Sequence, residues 1–367
     1  MKRIKTLQLV PGMVVAKDVI NSNNILVVAK DTVLNDEAIT KLTFHSIFSV
    51  YINEDSAATT LEVQNPQNPP ATSSEEYVSK ITQTKEFQEF QAAYEQEIEK
   101  LQDVFNDLIT LQPNMPDAAE LCVQATKMLE GVQNGLQVFD ILHNIRDYDG
   151  STFHHSLNVS LICSVFADWM HMSKLEKEIA TVSGLLHDIG KLKIPEEIVK
   201  KPERLTDDEY RIIKNHPIEG YKILYEAKFN QSIQNAALMH HERHDGSGYP
   251  LGLPGERIDK YAKMVAIADV YDAMTAARVY RGKLCPFKVI EMFERDGLSM
   301  FDAEYLLVFM ENIVQTYLRS RVRLSDGTKG EIIMMNKQRY SKPVIAIKNG
   351  FINLLEHPEL SIEEIYV

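Results

Sequence analysis
Between His155 and Asp269 the sequence sets five histidines and two aspartates into stretches that are otherwise largely apolar: His155, His187, Asp188, His216, His240, His241 and Asp269. A buried carboxylate without a partner is costly and a cation is its natural one, so groups placed this way look like a metal site. Imidazole and carboxylate suit divalent iron, manganese or zinc, and no cysteine takes part that would favour a thiolate site. Successive residues of a helix are rotated by about 100°, so His187 and Asp188 can aim at one side of a helix end. The two oxygens of Asp188 suffice to bridge two ions. His240 and His241 would face opposite ways along a strand; to bind one ion they must sit at a helix end or in a turn. Single members of the set carry less weight. Alone, His155 among Leu157, Val159, Ile162 and Val165 reads as a packed core histidine, and His187-Asp188 as a helix cap.

The flanks of these residues extend the pattern. Thr152-Phe153-His154-His155-Ser156, His187-Asp188-Ile189-Gly190-Lys191, His216-Pro217-Ile218-Glu219-Gly220, His240-His241-Glu242-Arg243 through Gly248-Tyr249-Pro250, and Asp269-Val270-Tyr271-Asp272-Ala273-Met274 follow in order. This ordered set resembles the HD-GYP family, the HD-domain phosphohydrolases that open cyclic di-GMP. The resemblance implies a mainly α protein with an all-helical HD-type catalytic domain. It also implies two divalent metal ions, iron or manganese first, with zinc, nickel or magnesium as alternatives. His155, His187, Asp188 and Asp269 would surround one ion, and Asp188, His216, His240 and His241 the other. Such a pair would hold a bridging hydroxide for in-line attack at phosphorus, giving linear pGpG and, after a second cut, GMP.

The family register selects His155 over His154, and Asp269 over Asp272. It makes Asp188 and Lys191 catalytic, with Lys191 binding phosphate first and donating a proton second. It places Lys191, Arg278, Arg281, Gly248, Tyr249 and Pro250 at the substrate. Arg278 and Arg281 are one helical turn apart and can form a guanidinium patch for phosphate. The glycine-rich loop before Pro250 allows close backbone approach to a ligand or to neighbouring helices. Glu242 and Asp245 either orient the histidines or, for Asp245, serve the turn. His216, preceding proline, is expected in extended geometry. In one respect the chain departs from the pattern. Some members carry a glutamate four residues before the first histidine, which helps hold a third metal, whereas Ser151 stands here. A hydroxyl replaces a carboxylate poorly on a divalent ion, so the expectation is two ions and a weakened second hydrolysis.

Around this segment, residues 1–54 alternate apolar and polar positions between turn signals and predict a small β-rich N-terminal module, with a helix near Asp36–Leu42. Residues 55–75, with Asn65-Pro66 and Asn68-Pro69-Pro70, read as a linker. Residues 76–147 read as a helical connector whose first helix carries an apolar stripe of Phe87, Phe90, Tyr94, Ile98, Leu101, Phe105 and Leu108. A second helix is expected from Ala118 to Ile145. The stripe fits either a homodimer interface or a face packed on the next domain. Residues 148–320 form the catalytic domain. Residues 321–367 form a short β-rich C-terminal extension, with hairpin signals at Asp326-Gly327 and Asn349-Gly350.

A formal net charge of −13 argues against a nucleic-acid polymer or an anionic membrane as partner, because phosphates attract basic surfaces. No apolar run approaches a membrane span, and Met1–Met13 lacks the apolar core of a signal peptide. Cys122, Cys163 and Cys285 read as buried free thiols of a reducing compartment, so a cytoplasmic protein is expected. Cyclic di-GMP is the expected substrate. The alternatives are a phosphodiesterase for another cyclic dinucleotide and a non-catalytic effector that only binds one.

Overall fold
The structure is a computed structural model that describes residues 1–6, 9–20, 26–45, 47, 49–53, 85–113, 115–127, 138–139, 142, 152–199, 206–275 and 284–366. The expected linker, 55–75, lies outside them.

At the N-terminus, β1 (Lys2–Lys5) pairs antiparallel with β4 (Ser49–Ile52), and β2 (Val19–Ile20) with β3 (Leu26–Val28). The helix Asp36–Phe44 connects the two pairs. Alternation along these short strands sends Ile4, Val27, Val50 and Ile52 inward, where they meet Leu34, Ile39 and Leu42 in a small core of their own. Phe44 ends that helix and turns outward. Its ring meets the edges of Phe293 and Phe301 at 5.6 and 5.8 Å, which seats the module on the helical domain.

The connector helix spans Lys85–Thr110. Tyr94, Ile98, Leu101, Phe105 and Leu108 are all buried in the main core, and the Tyr94 hydroxyl donates to Asn158 Oδ1 at 2.8 Å. The stripe therefore packs on the next domain within the same chain, which leaves little of that face for a coiled-coil partner. The side chains of Phe87 and Phe90 lie outside the described residues. A second helix, Ala118–Thr126, starts at an Asp117 and Glu120 capping box. Most of the remaining expected extent of that helix falls outside the described residues, although Val138, Phe139 and Leu142 are buried in the main core.

The helical domain is built on Thr152–Trp169, Lys174–Leu186, Asp207–Ile213, His216–Glu226, Gln231–Met239 and Lys260–Thr275. Ser173 with Glu176 and Thr206 with Glu209 form the capping boxes that start two of them. Every residue from Ser156 to Ala167 is buried, as expected for a helix packed on all sides. Lys260–Thr275 is buried almost as completely. A 3-10 turn, Ile189–Lys193, lies against the first turn of His216–Glu226. A Cβ added at Gly190 would stand 2.0 Å from the His216 carbonyl oxygen and 2.4 Å from the Gly220 nitrogen. Both obstacles are backbone. Gly190→Ala is therefore expected to cost about 3 kcal/mol of stability, measurable as a lowered midpoint in thermal unfolding.

The C-terminal strands form a five-stranded antiparallel sheet in the order β8-β7-β6-β5-β9, with β5 Arg321–Leu324, β6 Lys329–Met334, β7 Val344–Ile347, β8 Gly350–Asn353 and β9 Ile362–Tyr366. The Asp326-Gly327 and Asn349-Gly350 pairs join β5 to β6 and β7 to β8, and both glycines take positive φ (87° and 140°). Val322, Leu324, Ile332, Ile345 and Ile362 share the main core with Phe287 and Tyr317. The extension is thus sealed onto the helices. Among the described residues no helix is long and apolar enough to cross a membrane. Cys163 and Cys285 are buried free thiols, while Cys122 is only half-buried.

Candidate metal centre
Six of the seven expected ligands lie at or near the ends of helices, and Asp269 sits within Lys260–Thr275. His155 stands near the start of Thr152–Trp169. His187 caps Lys174–Leu186 at its C-terminus, and Asp188 follows at the start of the 3-10 turn. His240 caps Gln231–Met239, and His241 is the next residue, which resolves how two adjacent histidines can serve one site. His216 is the first residue of its own helix, so it does not stand in extended chain. Pro217 falls in the first turn, where its missing N–H costs nothing.

Asp188 is the centre of the arrangement. Its Oδ2 lies 3.4 Å from His187 Nε2 and 3.8 Å from His155 Nε2, while its Oδ1 lies 3.2 Å from His216 Nε2 and 3.7 Å from His240 Nε2. The donors fall into two groups that share this carboxylate, His155, His187 and Asp188 on one side and Asp188, His216, His240 and His241 on the other. Within each group the ligand atoms all lie within 4.8 Å of one another. Asp269 joins the first side, with Oδ1 3.0 Å from His155 Nε2.

The backbone decides which nitrogen each ring presents. His187 Nδ1 meets the Gly184 carbonyl at 2.8 Å, His216 Nδ1 that of Ile213 at 2.8 Å and His240 Nδ1 that of Ala237 at 2.9 Å. A carbonyl only accepts, so Nδ1 carries the proton and the Nε2 lone pair faces Asp188. His155 Nδ1 instead meets Asp272 Oδ2 at 2.8 Å. Asp272, the alternative ligand in the sequence, thus holds His155 from behind. Its signal was the three-residue step from Asp269, which puts both carboxylates on one helix face.

Burial and charge prepare the donors. Burial opposes ionisation of Asp188, but the Lys191 ammonium beside it holds its carboxyl well below the usual range. Burial, reinforced by neighbouring imidazoles, pushes His240 and His241 well down, so both are neutral donors near pH 7. For His155 burial works against the charged form, yet hydrogen bonds to Asp269 and Asp272 outweigh it and hold the imidazole at about 9. A cation entering there displaces a proton. Lys191 donates to Asp188 Oδ2.

The donor set fits divalent ions. His187 Nε2 and Asp188 Oδ1 are buried without a hydrogen-bond partner among the described residues, at about 1–3 kcal/mol each. One ion on each side of Asp188 would satisfy both. Asp272→Asn should accordingly weaken any metal binding on the His155 side by about 10- to 100-fold and leave binding on the other side unchanged, as read by titration with manganese.

The loop after the histidines lies behind them. The Tyr249 ring is buried and stacks on His241, with centroids 4.6 Å apart and planes at 18°. A Cβ on Gly248 would stand 2.3 Å from Glu242 Cα, so glycine is required for the loop to close on this backbone; Pro250 is half-buried. Among the described residues Glu242 makes no hydrogen bond to a histidine. Its carboxylate accepts from the backbone N–H groups of Leu251 and Leu253 at 2.7 and 2.9 Å, tying the loop down. Asp245 accepts from Ser247 N–H at 2.9 Å and so serves the turn. Lys214, which the motifs do not mark, sets its ammonium 4.4 Å from the Tyr249 ring centroid. Arg278, Arg281 and Ser151 lie outside the described residues.

Residues 143–305 match the HD domain family. Over 180 residues the chain is 43% identical to a cyclic di-GMP phosphodiesterase response regulator of Xanthomonas campestris, covering 48% of this chain and 45% of that protein. It is 36% identical over 190 residues to a 3'3'-cGAMP-specific phosphodiesterase of Vibrio cholerae, covering 51% and 44%. To a cyclic di-GMP phosphodiesterase of Thermotoga maritima it is 35% identical over 201 residues, covering 53% and 52%. The chain spans about half the length of these curated relatives. An HDG"Y"P protein from Bdellovibrio bacteriovorus shares the fold, with a TM-score of 0.50 at 18% identity over 85% of this chain and 99% of that one.

Proposed function
With residues 143–305 forming an HD domain, we propose that this protein is a metal-dependent phosphodiesterase that opens cyclic di-GMP to linear pGpG. The observation that carries the reading is the division of Asp188, one oxygen toward His155 and His187 and the other toward His216 and His240. His155, His187, Asp188 and Asp269 would hold one divalent ion and Asp188, His216, His240 and His241 a second. Two such ions, iron or manganese, supply Lewis acidity at a phosphodiester and a water acidic enough to attack near pH 7.

The chain's own groups do the rest. Asp188 stays ionised, and the neutral rings of His240 and His241 keep their lone pairs available. Backbone carbonyls fix three of the imidazoles, so little reorganisation is needed on loading. Lys191, partly exposed beside Asp188, offers an ammonium to a non-bridging phosphate oxygen. In a protein of net charge −13, an anionic substrate depends on such local cations, and Arg278 and Arg281 are the further ones we assign to it. The unpaired cysteines support a reducing compartment such as the cytoplasm.

A second reading has support in the cGAMP-specific relative: the ligand set addresses phosphate and leaves base identity open. Protein loaded with manganese or iron(II) should be given cyclic di-GMP, 3'3'-cGAMP and cyclic di-AMP, with products resolved by chromatography. The expected result is turnover of cyclic di-GMP with pGpG accumulating, since Ser151 replaces the glutamate of a third site. Turnover of 3'3'-cGAMP alone would favour the second reading, and binding without any product would make the protein an effector.

A further inference from the structure
From the surface of the N-terminal module to the metal centre, cations and aromatic rings alternate in one stack. Lys17 Nζ lies 4.5 Å from the Tyr51 ring centroid. Arg3 Cζ lies 5.7 Å from that ring and 5.2 Å from the Tyr210 ring. Lys214 Nζ lies 5.7 Å from Tyr210 and 4.4 Å from Tyr249, and Tyr249 stacks on His241. All these separations fall within the reach of cation–π attraction, about 6 Å. Arg3 and Lys214 are each shared by two rings.

Local structure explains the order. Arg3 and Tyr51 are direct partners in the β1 and β4 pairing, and Arg3 Nε donates to Ser49 Oγ at 2.7 Å, which fixes the guanidinium at the module's edge. Tyr210 and Lys214 are four residues apart, in and at the C-cap of Asp207–Ile213, so they share a face. Arg3 therefore bridges the module and the helical domain, and Lys214 bridges that helix and the loop behind His241. An imidazole ligand must keep its lone pair within about 10–20° of the productive direction. One face of the His241 ring is set by Tyr249.

We propose that Arg3 and Lys214 are positioning residues for His241, so that docking of the N-terminal module sets the affinity of the Asp188, His216, His240 and His241 side for its ion. The proposal rests on the reading of His241 as a ligand. It gives the module a regulatory role: a ligand or partner that lifts β1 off Tyr210 loosens one ion and leaves the other in place.

The test uses the full chain with Arg3→Gln and Arg3→Lys. In manganese titrations, Arg3→Gln should weaken one of the two ions by about 3- to 30-fold and change the other by less than about 2-fold. Arg3→Lys, which keeps the charge but stacks less well, should fall between Arg3→Gln and wild type. In metal-free protein with 13C-labelled histidine, the His241 ring resonance should move in Arg3→Gln, move back toward wild type in Arg3→Lys, and that of His155 should stay. An unmoved His241 signal, a shift shared by all the histidines, or a lysine variant no better than glutamine would overturn the proposal. If wild type takes up no metal, the phosphodiesterase reading fails, and the metal-free spectra still decide the coupling.

Discussion
Replacing Asp188 by alanine is expected to lower turnover of cyclic di-GMP by at least about 10^3-fold, because the several kcal/mol of charge stabilisation supplied by bound ions correspond to one decade per 1.36 kcal/mol. The effect should exceed that of any single histidine variant. Removing one imidazole depletes one side, whereas Asp188 faces His155 and His187 through Oδ2 and His216 and His240 through Oδ1. Asp188→Asn is the stricter variant. It keeps the volume but lacks the charge that would offset the proposed pair of cations. Steady-state kinetics with excess manganese, alongside far-ultraviolet circular dichroism, check the prediction. Turnover within about tenfold of wild type in a folded variant would remove Asp188 from the chemistry.

The second large effect concerns removal of metal. Stripping the protein with a chelator should abolish turnover, and adding manganese or iron(II) should restore it. Loss of the ions should also destabilise the fold. A site kept saturated at about 100-fold over its Kd contributes about 2.7 kcal/mol, and the donors it covers include buried atoms with no other hydrogen-bond partner among the described residues. The expected readout is a thermal midpoint that falls on chelation and recovers with added ion. Equal midpoints with and without chelator would mean that these donors hold no ion under the conditions used.

Much of this site was legible because its chemistry is written in residue types that an apolar core seldom contains. Histidines and aspartates set in buried helices have few stable alternatives to meeting around a cation. The helix start at Thr206 and the hairpins at Asp326-Gly327 and Asn349-Gly350 were legible for a different reason, since their side chains or backbone act within a few residues. What an apolar stripe packs against is not local. The residues from Tyr94 to Leu108 fixed a face and left its partner open, and only the fold shows that face on the main core.

His216 was misjudged because the preference of a residue before proline is weaker than the fit of Pro217 to a first helical turn. The hydrogen bonds of Glu242 were not legible because adjacency to His241 says nothing of the N–H groups of Leu251 and Leu253, nine and eleven positions on. Beyond the four-residue step from Tyr210 to Lys214, the stack from Arg3 to His241 had no sequence signal. Its joining contact, Arg3 on Tyr210, links residues more than two hundred positions apart.

Anomalous diffraction from crystals of manganese- or iron-loaded protein tests the binuclear arrangement most directly. The account predicts two peaks about 3.5–4 Å apart, one beside each Asp188 oxygen, the first ringed by His155, His187 and Asp269 and the second by His216, His240 and His241. A single peak, or peaks that leave either group of histidines without an ion, would contradict it.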